Sequence, residues 1–370
     1  MPSSNNQSFI DGSRLIIEAS ARAGAEVFIG YPITPANLLY LYSSQRFDAV
    51  LPAPDEITTL QWMSGYASAG KLPVTATSYP GLALMIESIG MAYMMELPMV
   101  IILAQRLGPA TGTATCGAQG DVLLLNGMNS GGYSIPTFCI SDITDCWTMA
   151  AEAVRTAITL RTPVVLLTSK EMVMTVQNFD MSTLPEVKKV DRHFYNGSDV
   201  YVPYQAGNDG VPPFLPVGNT KHRVRITAST HDQNATLQHT TPAALANTAR
   251  LQEKLEKNIA DYTHYELSEE ATDTLVVSYD ITAASAREAV TRLRSEGKKV
   301  SLFIPKTLFP VPPCYIEIVN KYKRVVVAEE NFSGQYREIL FGKAGRSGVS
   351  GVNVIGRMIT PEEIIAEVLK

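Results

Sequence analysis

The sequence predicts an α/β protein made of two parallel-sheet α/β domains joined by an irregular linker. Three observations carry this expectation. Short apolar runs alternate with helical patterns over residues 26–168 and again over 274–369, as strands joined by crossover helices do. The run Pro98-Met99-Val100-Ile101-Ile102-Leu103-Ala104 is apolar throughout, which suits a parallel strand covered on both faces. Residues 171–268 break the alternation: they are rich in Asn, Thr, Pro and Gly and hold all five histidines. The expected division is 1–175 for the first domain, 176–270 for the linker and 271–370 for the second domain.

The elements follow in order. Leu15, Ile16, Ala19 and Ala23 share one face of a helix over 13–24, and Gly24 stops it. A buried strand over 26–29 leads into Gly30-Tyr31-Pro32-Ile33-Thr34-Pro35. Each proline there fixes its own φ and pushes the residue before it out of the helical region, so Thr34 is presented from a stiff loop. Pro35 is suited to open the next helix. A strand over 47–53 precedes Asp55, an N-cap, with Glu56 in the first turn of a helix running to about 70. That helix is rich in small residues, which suit either tight packing or a close ligand. The strand 73–77 ends at Ser78-Tyr79-Pro80-Gly81, and the helix over 82–94 is apolar nearly all round, which predicts burial on both sides. The strand 98–104 ends in Gln105-Arg106, followed by a Gly- and Thr-rich loop over 108–120 that is too long for a simple connector. Strands over 137–140 and 163–167 flank a helix over 145–159. The linker is expected to carry antiparallel pieces, including 223–227, and a charged helix over 242–261. Strands over 274–278, 300–304 and 324–328, with helices over 283–296, 315–319 and 361–369, make the second domain.

Composition removes several function classes. A net charge of −5 gives no basic footprint for nucleic acid. No apolar run approaches the ~20 residues of a membrane-spanning helix. The first residues have neither the basic start nor the apolar centre of a signal peptide, so a cytoplasmic location is expected. The four cysteines, at 116, 139, 146 and 314, form no C-x-x-C pair, so no metal site is expected on this chain. No histidine falls in the first domain, which excludes a His-based triad built there. What remains is Thr34, Glu56, Ser78 and Arg106, each following a different strand of one sheet and so able to converge at its carboxyl edge, where open α/β sheets bind ligands. Glu56 also suits a helix N-terminus for structural reasons alone. Arg106, beside an apolar core, needs a partner, and a substrate carboxylate matches its planar fork. Such a group needs a cofactor for demanding chemistry.

These residues also carry a resemblance. The stretch Tyr31-Pro32-Ile33-Thr34-Pro35 resembles the Tyr-Pro-Ile-Thr-Pro motif of the α subunits of 2-oxoacid:ferredoxin oxidoreductases. Asp55-Glu56-Ile57, the segment from Thr75 through Thr77, Ser78 and Tyr79 to Met85, and the Gln105-Arg106-Leu107-Gly108-Pro109-Ala110-Thr111-Gly112 loop are similar to that family's corresponding segments. So are Thr227-Ala228-Ser229-Thr230-His231-Asp232, Leu308-Phe309-Pro310 and Val326-Val327-Ala328-Glu329-Glu330-Asn331. The resemblance implies a thiamine diphosphate pyrimidine-binding domain followed by a transketolase C-terminal-like domain. It implies oxidative decarboxylation of a small 2-oxoacid, usually to an acyl-coenzyme A, with electrons passed to ferredoxin. It further implies a partner β subunit that holds the diphosphate, Mg²⁺ and an iron–sulfur cluster, with γ and δ subunits in some members. By position, Glu56 would hydrogen-bond the pyrimidine N1′ of the cofactor, Thr34 the oxoacid, and Arg106 the oxoacid carboxylate. Tyr31, Pro32, Ile33, Thr77 and Ser78 would line the cofactor.

The chain departs from that pattern in places. Leu107 replaces a glycine of the Gln-Arg loop. Gln119 and Asp121 match a Glu-Gln-x-Asp segment, but Ala118 stands where its acid would be. Residues 129–133 lack a Gly-His-Gly segment. The oxoacid and the coenzyme A acceptor are thereby left open. Two alternatives share the architecture: the β subunit of the decarboxylating component of a 2-oxoacid dehydrogenase, and a non-catalytic structural subunit of such a complex. The proline loop and the Arg106 loop argue against the first. Joint retention of Glu56, Thr34 and Arg106 argues against the second.

Overall fold

The structure is a computed structural model that describes residues 7–109 and 113–370. Ala110, Thr111 and Gly112 of the Gln-Arg loop, and residues 1–6, where the signal-peptide reading rests, lie outside the described residues. The first part of the chain comprises β1 (Gln7–Ile10), α1 (Gly12–Ala23), β2 (Val27–Gly30), α2 (Asn37–Arg46), β3 (Ala49–Pro52), α3 (Glu56–Ser68), β4 (Pro73–Thr77), α4 (Tyr79–Met94) and β5 (Met99–Gln105). It continues through α5 (Val122–Gly127), β6 (Thr137–Cys139), α6 (Asp145–Leu160), β7 (Pro163–Ser169), α7 (Lys170–Met174), β8 (Gln177–Asp180) and α8 (Pro242–Lys257). Then come β9 (Tyr265–Ser268), β10 (Thr274–Ser278), α9 (Thr282–Ser295), β11 (Ser301–Pro305), β12 (Thr307–Phe309), α10 (Pro313–Asn320), β13 (Arg324–Glu329), α11 (Gln335–Phe341), β14 (Val349–Asn353) and α12 (Pro361–Val368).

Local chemistry sets the helix ends. Asp11 caps α1 by accepting from the Arg14 amide at 3.1 Å, and Gly24, at φ 124°, ends it. Asp55 caps α3 by accepting from the Thr58 amide at 2.7 Å, which fixes Glu56 as its first residue. Thr360 and Glu363 form a capping box at α12.

The first sheet has seven strands in the order β12-β6-β7-β5-β4-β2-β3. All neighbours are parallel except β12, which runs antiparallel to β6. Helices α1, α2 and α6 pack together on one side, and α3 packs with α4 against β2, β4, β5 and β7. Every residue of β5 and β7 is buried, and each of Val100, Ile101, Ile102 and Leu103 contributes about 1.5–3 kcal/mol by leaving water. The strand order reverses between β2 and β4. Such a switch point opens a crevice at the carboxyl ends of its strands, and here those ends lead to Thr34 and Ser78.

The second sheet, β14-β13-β10-β11-β9, is parallel apart from β9. Two strands cross the division expected from sequence. β9, before residue 271, completes the second sheet, and β12, after it, extends the first. Each is only three or four residues long, too short for periodicity to assign a partner.

Other expectations are corrected. Residues 223–227 form no strand, because no neighbouring strand pairs with them. The charged helix stops at Lys257 and continues as a short 3-10 turn over Ile259–Tyr262. Pro35 does not open α2, which starts two residues later. Helix α4 is not buried on both sides: Leu84 is 51% exposed, and the adjoining α3 exposes Ile57 and Trp62. Helix α8 is anchored by a buried charge cluster, in which Lys254 Nζ donates to Glu96 Oε2 at 2.7 Å and Arg250 holds the same carboxylate. Burial pushes the Glu96 carboxyl up, but Lys254 and Arg250 outweigh it and hold it at about 2.

Candidate active site

Four loops leave one edge of the first sheet side by side, because β3, β2, β4 and β5 are neighbours in that order. They carry Glu56, Thr34, Ser78 and Arg106. Beyond β2, Tyr31 and Pro32 are exposed, Ile33 and Thr34 are half-buried, and Pro35 is buried. The Ala53 amide donates to the Gly30 carbonyl at 3.0 Å, tying the exit of β3 to the start of this loop. From across β4, Arg106 Nη1 donates to the Thr34 carbonyl at 2.7 Å. Arg106 is 7% exposed. Thr34 and Arg106, from strands that are not adjacent, are thus brought into contact.

Glu56 is 7% exposed. Its neighbour is not a side chain but a glycine. A Cβ at Gly81 would strike Thr77 Oγ1 and lie 2.8 Å from Glu56 Oε1. The carboxylate therefore rests on bare backbone in the first turn of α4, with the Thr77 hydroxyl beside it. Among the described residues no hydrogen bond or ion pair takes up the Glu56 carboxylate. Ser78 heads α4 without capping it, and its hydroxyl, like that of Thr75, is buried without a partner. Leaving a polar group unsatisfied costs about 1–3 kcal/mol, so the unpartnered Ser78 hydroxyl and Glu56 carboxylate at this edge of the sheet suit a polar ligand. A buried carboxylate over a glycine suits the protonated ring nitrogen of a flat heterocycle. The residues present thus fit a thiamine-type pyrimidine.

Behind this edge the second domain clamps the loop that follows Arg106. Gln105 Nε2 donates to Asp280 Oδ2 at 2.9 Å, and Gln105 Oε1 accepts from the Asp121 amide at 3.3 Å. Gln119 is fully buried: its Nε2 donates to the Tyr279 carbonyl at 2.7 Å, and its Oε1 accepts from Thr282 Oγ1 and the Glu330 amide. Asn331 adds a bond from Nδ2 to the Gln119 carbonyl at 3.2 Å. Burial, and the nearby Glu330 and Glu171, push the Asp280 carboxyl well above the usual carboxylate range. The loop is therefore part of the domain interface, which is why it is longer than a connector.

Sequence reasoning missed Gly81, Gln105 and Asp280. Gln105 had a signal, a polar residue closing an unbroken apolar strand. Asp280 had none, because its role depends on a partner 175 residues away. Among the described residues no group of three or more His, Cys, Asp or Glu side chains could hold a metal ion. None of the helices described is long and apolar enough to cross a membrane.

The chain matches known proteins along nearly its whole length. Residues 18–250 match the thiamine diphosphate-binding family of pyruvate flavodoxin/ferredoxin oxidoreductases, and residues 272–364 match core domain II of pyruvate:ferredoxin oxidoreductase. A 2-oxoglutarate synthase subunit KorA from Methanothermobacter thermautotrophicus is 30% identical, with 98% of both chains covered. A ketoisovalerate oxidoreductase subunit VorB from the same organism is 26% identical, covering 94% of this chain and 92% of that one. A solved 2-oxoglutarate:ferredoxin oxidoreductase from Magnetococcus marinus, with 2-oxoglutarate, coenzyme A and succinyl-CoA bound, superposes with a TM-score of 0.91 at 28% identity. It covers 99% of this chain, which spans 65% of that one.

Proposed function

The chain belongs to the thiamine diphosphate-binding pyruvate flavodoxin/ferredoxin oxidoreductase family, and on that premise we propose that it supplies the pyrimidine and oxoacid half of a shared active site. It is a subunit of a 2-oxoacid:ferredoxin oxidoreductase that works with thiamine diphosphate, coenzyme A and other subunits. The observation that carries the proposal is the buried Glu56 carboxylate lying over Gly81 at the switch point of the sheet. When bound, thiamine diphosphate supplies the nucleophilic carbon and the electron sink for decarboxylation. Glu56 would hold the pyrimidine by accepting a hydrogen bond from its N1′, and its negative charge would favour a proton there. Tyr31, Pro32, Ile33, Thr77 and Ser78 wall the ring. Arg106 pairs with the oxoacid carboxylate, and the Thr34 hydroxyl holds the substrate beside it.

A β subunit completes the site with the diphosphate grip, Mg²⁺ and an iron–sulfur cluster, with γ and δ subunits as further candidates. The apolar side chains exposed on α3 and α4, among them Ile57, Trp62 and Leu84, support a partner at this edge. A cytoplasmic location belongs to the same reading, since ferredoxin and coenzyme A are its reagents. We favour 2-oxoglutarate as the oxoacid on the strength of the KorA relatives.

The purified chain alone is expected to be colourless and inactive. Mixed with its β subunit, it should restore oxoacid-dependent viologen reduction, with kcat/KM higher for 2-oxoglutarate than for 2-oxoisovalerate. Iron–sulfur absorbance in the isolated chain would contradict the shared site, and the reverse preference would contradict the substrate. Gly81→Ala tests the pyrimidine seat. A Cβ there would displace the Thr77 hydroxyl and the Glu56 carboxylate; losing the charge-assisted hydrogen bond proposed for Glu56, about 1.5–3 kcal/mol, raises the thiamine diphosphate Kd of the assembled enzyme roughly 10- to 150-fold. Calorimetric titration measures this, and an unchanged Kd would place the pyrimidine elsewhere.

A further inference from the structure

We propose that Asp121 is a positioning residue for the oxoacid: its carboxyl, buried in the cavity wall beside the Gln-Arg loop, sets the net charge that Arg106 presents to the substrate carboxylate. The inference rests on the reading of Arg106 given above and extends it to a residue to which that reading assigns no role.

A cavity of about 370 Å³ opens between the domains, lined by Tyr79, Leu107, Asp121, Glu330, Phe332 and Ile355 among others. Asp121 is 4% exposed in its wall. Its backbone is fixed on the Gln105 side chain, and Gln119, two residues earlier, is clamped to the second domain. The carboxyl itself has no such tie. It does not cap α5, and its Oδ2 is buried without any hydrogen-bond partner. A carboxyl that supports neither helix nor interface, yet is held rigidly in a cavity wall, is placed for something that enters the cavity.

Its surroundings set what it does. Burial pushes the Asp121 carboxyl up to about 7, with the nearby Arg106 guanidinium opposing the shift. The other titratable groups facing it are Glu330, across the cavity, and Tyr79, from the start of α4. Asp280 lies one side chain behind, through Gln105. Burial also raises Glu330, whose carboxylate already accepts from Thr282 and from the Ile359 amide. Below pH 7, Asp121 is neutral and Arg106 acts with its full charge. Above it, the Asp121 carboxylate offsets Arg106 and repels the incoming carboxylate. Oxoacid affinity therefore falls as pH rises through about 7.

The test uses the assembled holoenzyme. In the wild type the KM for 2-oxoglutarate should rise by about tenfold between pH 6 and pH 8, with kcat changing little, as expected for one facing charge in a partly screened site. In Asp121→Asn, which keeps shape and removes the charge, KM should stay at the low value across that range. Infrared difference spectra supply a readout independent of turnover. A protonated carboxyl band should titrate away near pH 7, shift on adding 2-oxoglutarate, and be missing in Asp121→Asn. Identical pH–KM profiles in the two enzymes would overturn the proposal, as would a flat wild-type profile should the variant fail to assemble. Arg106→Met separates this from the parent reading. If that variant raises KM while Asp121→Asn leaves the pH profile intact, only the present inference fails. If Arg106→Met leaves KM unchanged, both fall.

Discussion

Glu56→Gln should leave the assembled enzyme folded and slow exchange of the C2 proton of bound thiamine diphosphate by about 10²–10⁴-fold, the usual loss when one placed acid–base group is removed. Folding survives because the amide has the shape of the carboxylate and keeps its contact with Gly81. The Asp55 cap that starts α3 is untouched. What goes is the negative charge. Glu56 sits at a helix N-terminus, which favours a carboxylate, and no side chain of the described fold neutralises it. In the proposed site that charge would meet the protonated N1′, and Gln has none to give. The cofactor Kd should change much less than the exchange rate, because the walls of the ring site remain. Quenched deuterium exchange followed by NMR reads the rate directly. Exchange at the wild-type rate would remove Glu56 from its proposed role.

Glu56 stands out in the amino-acid sequence because its signals are local. Asp55 caps, Glu56 follows, and a run of helical residues comes next. The same holds for β5, whose apolar residues leave no alternative to a strand buried on both faces, and for the Pro32 and Pro35 loop. Thr34 and Arg106 can be placed on one edge of the sheet because strands followed by helices put their exits together. Their contact is not legible in the same way, because it needs the strand order, with β4 lying between β2 and β5. Strands β9 and β12 are illegible for a related reason. Each holds three or four residues, and its partner is chosen by the domain interface rather than by its own pattern. The apolar surface of α4 misleads in the opposite direction: apolar residues all round imply cover, but Leu84 is exposed within this chain. Exposed apolar faces of this kind are where binding surfaces occur, which is why the pattern alone cannot say what covers them. Asp121 matches a family segment in the sequence, yet its buried, unpartnered oxygen arises only where the second domain closes over the loop.

Arg106→Met is the second large effect, and its expected signature is a KM for the oxoacid raised roughly 10- to 150-fold, the equivalent of a charge-assisted hydrogen bond of about 1.5–3 kcal/mol. The apolar run of β5 holds the residue rigidly at the carboxyl edge of the sheet, and one nitrogen of the guanidinium is committed to the Thr34 carbonyl at 2.7 Å. That bond orients the fork and brings the proposed carboxylate ligand beside the proposed Thr34 hydroxyl contact. Because the substrate carboxylate leaves as neutral CO₂, charge pairing acts on capture of the oxoacid more than on the later oxidation steps. Oxidation of a preformed intermediate should therefore slow far less than KM rises. Arg106→Lys should recover only part of the affinity, since a point charge cannot hold Thr34 and a carboxylate with the same planar geometry. Losing the Thr34 bond also carries a cost in stability, about 0.5–1.5 kcal/mol for a typical hydrogen bond. Thermal melting and oxoacid titration on one preparation divide the two roles. A lowered melting temperature with a raised KM fits a residue that both supports the loop and binds substrate. A lowered melting temperature with unchanged KM would make Arg106 a purely structural clamp on Thr34 and would overturn the assignment of the oxoacid carboxylate to this edge of the sheet.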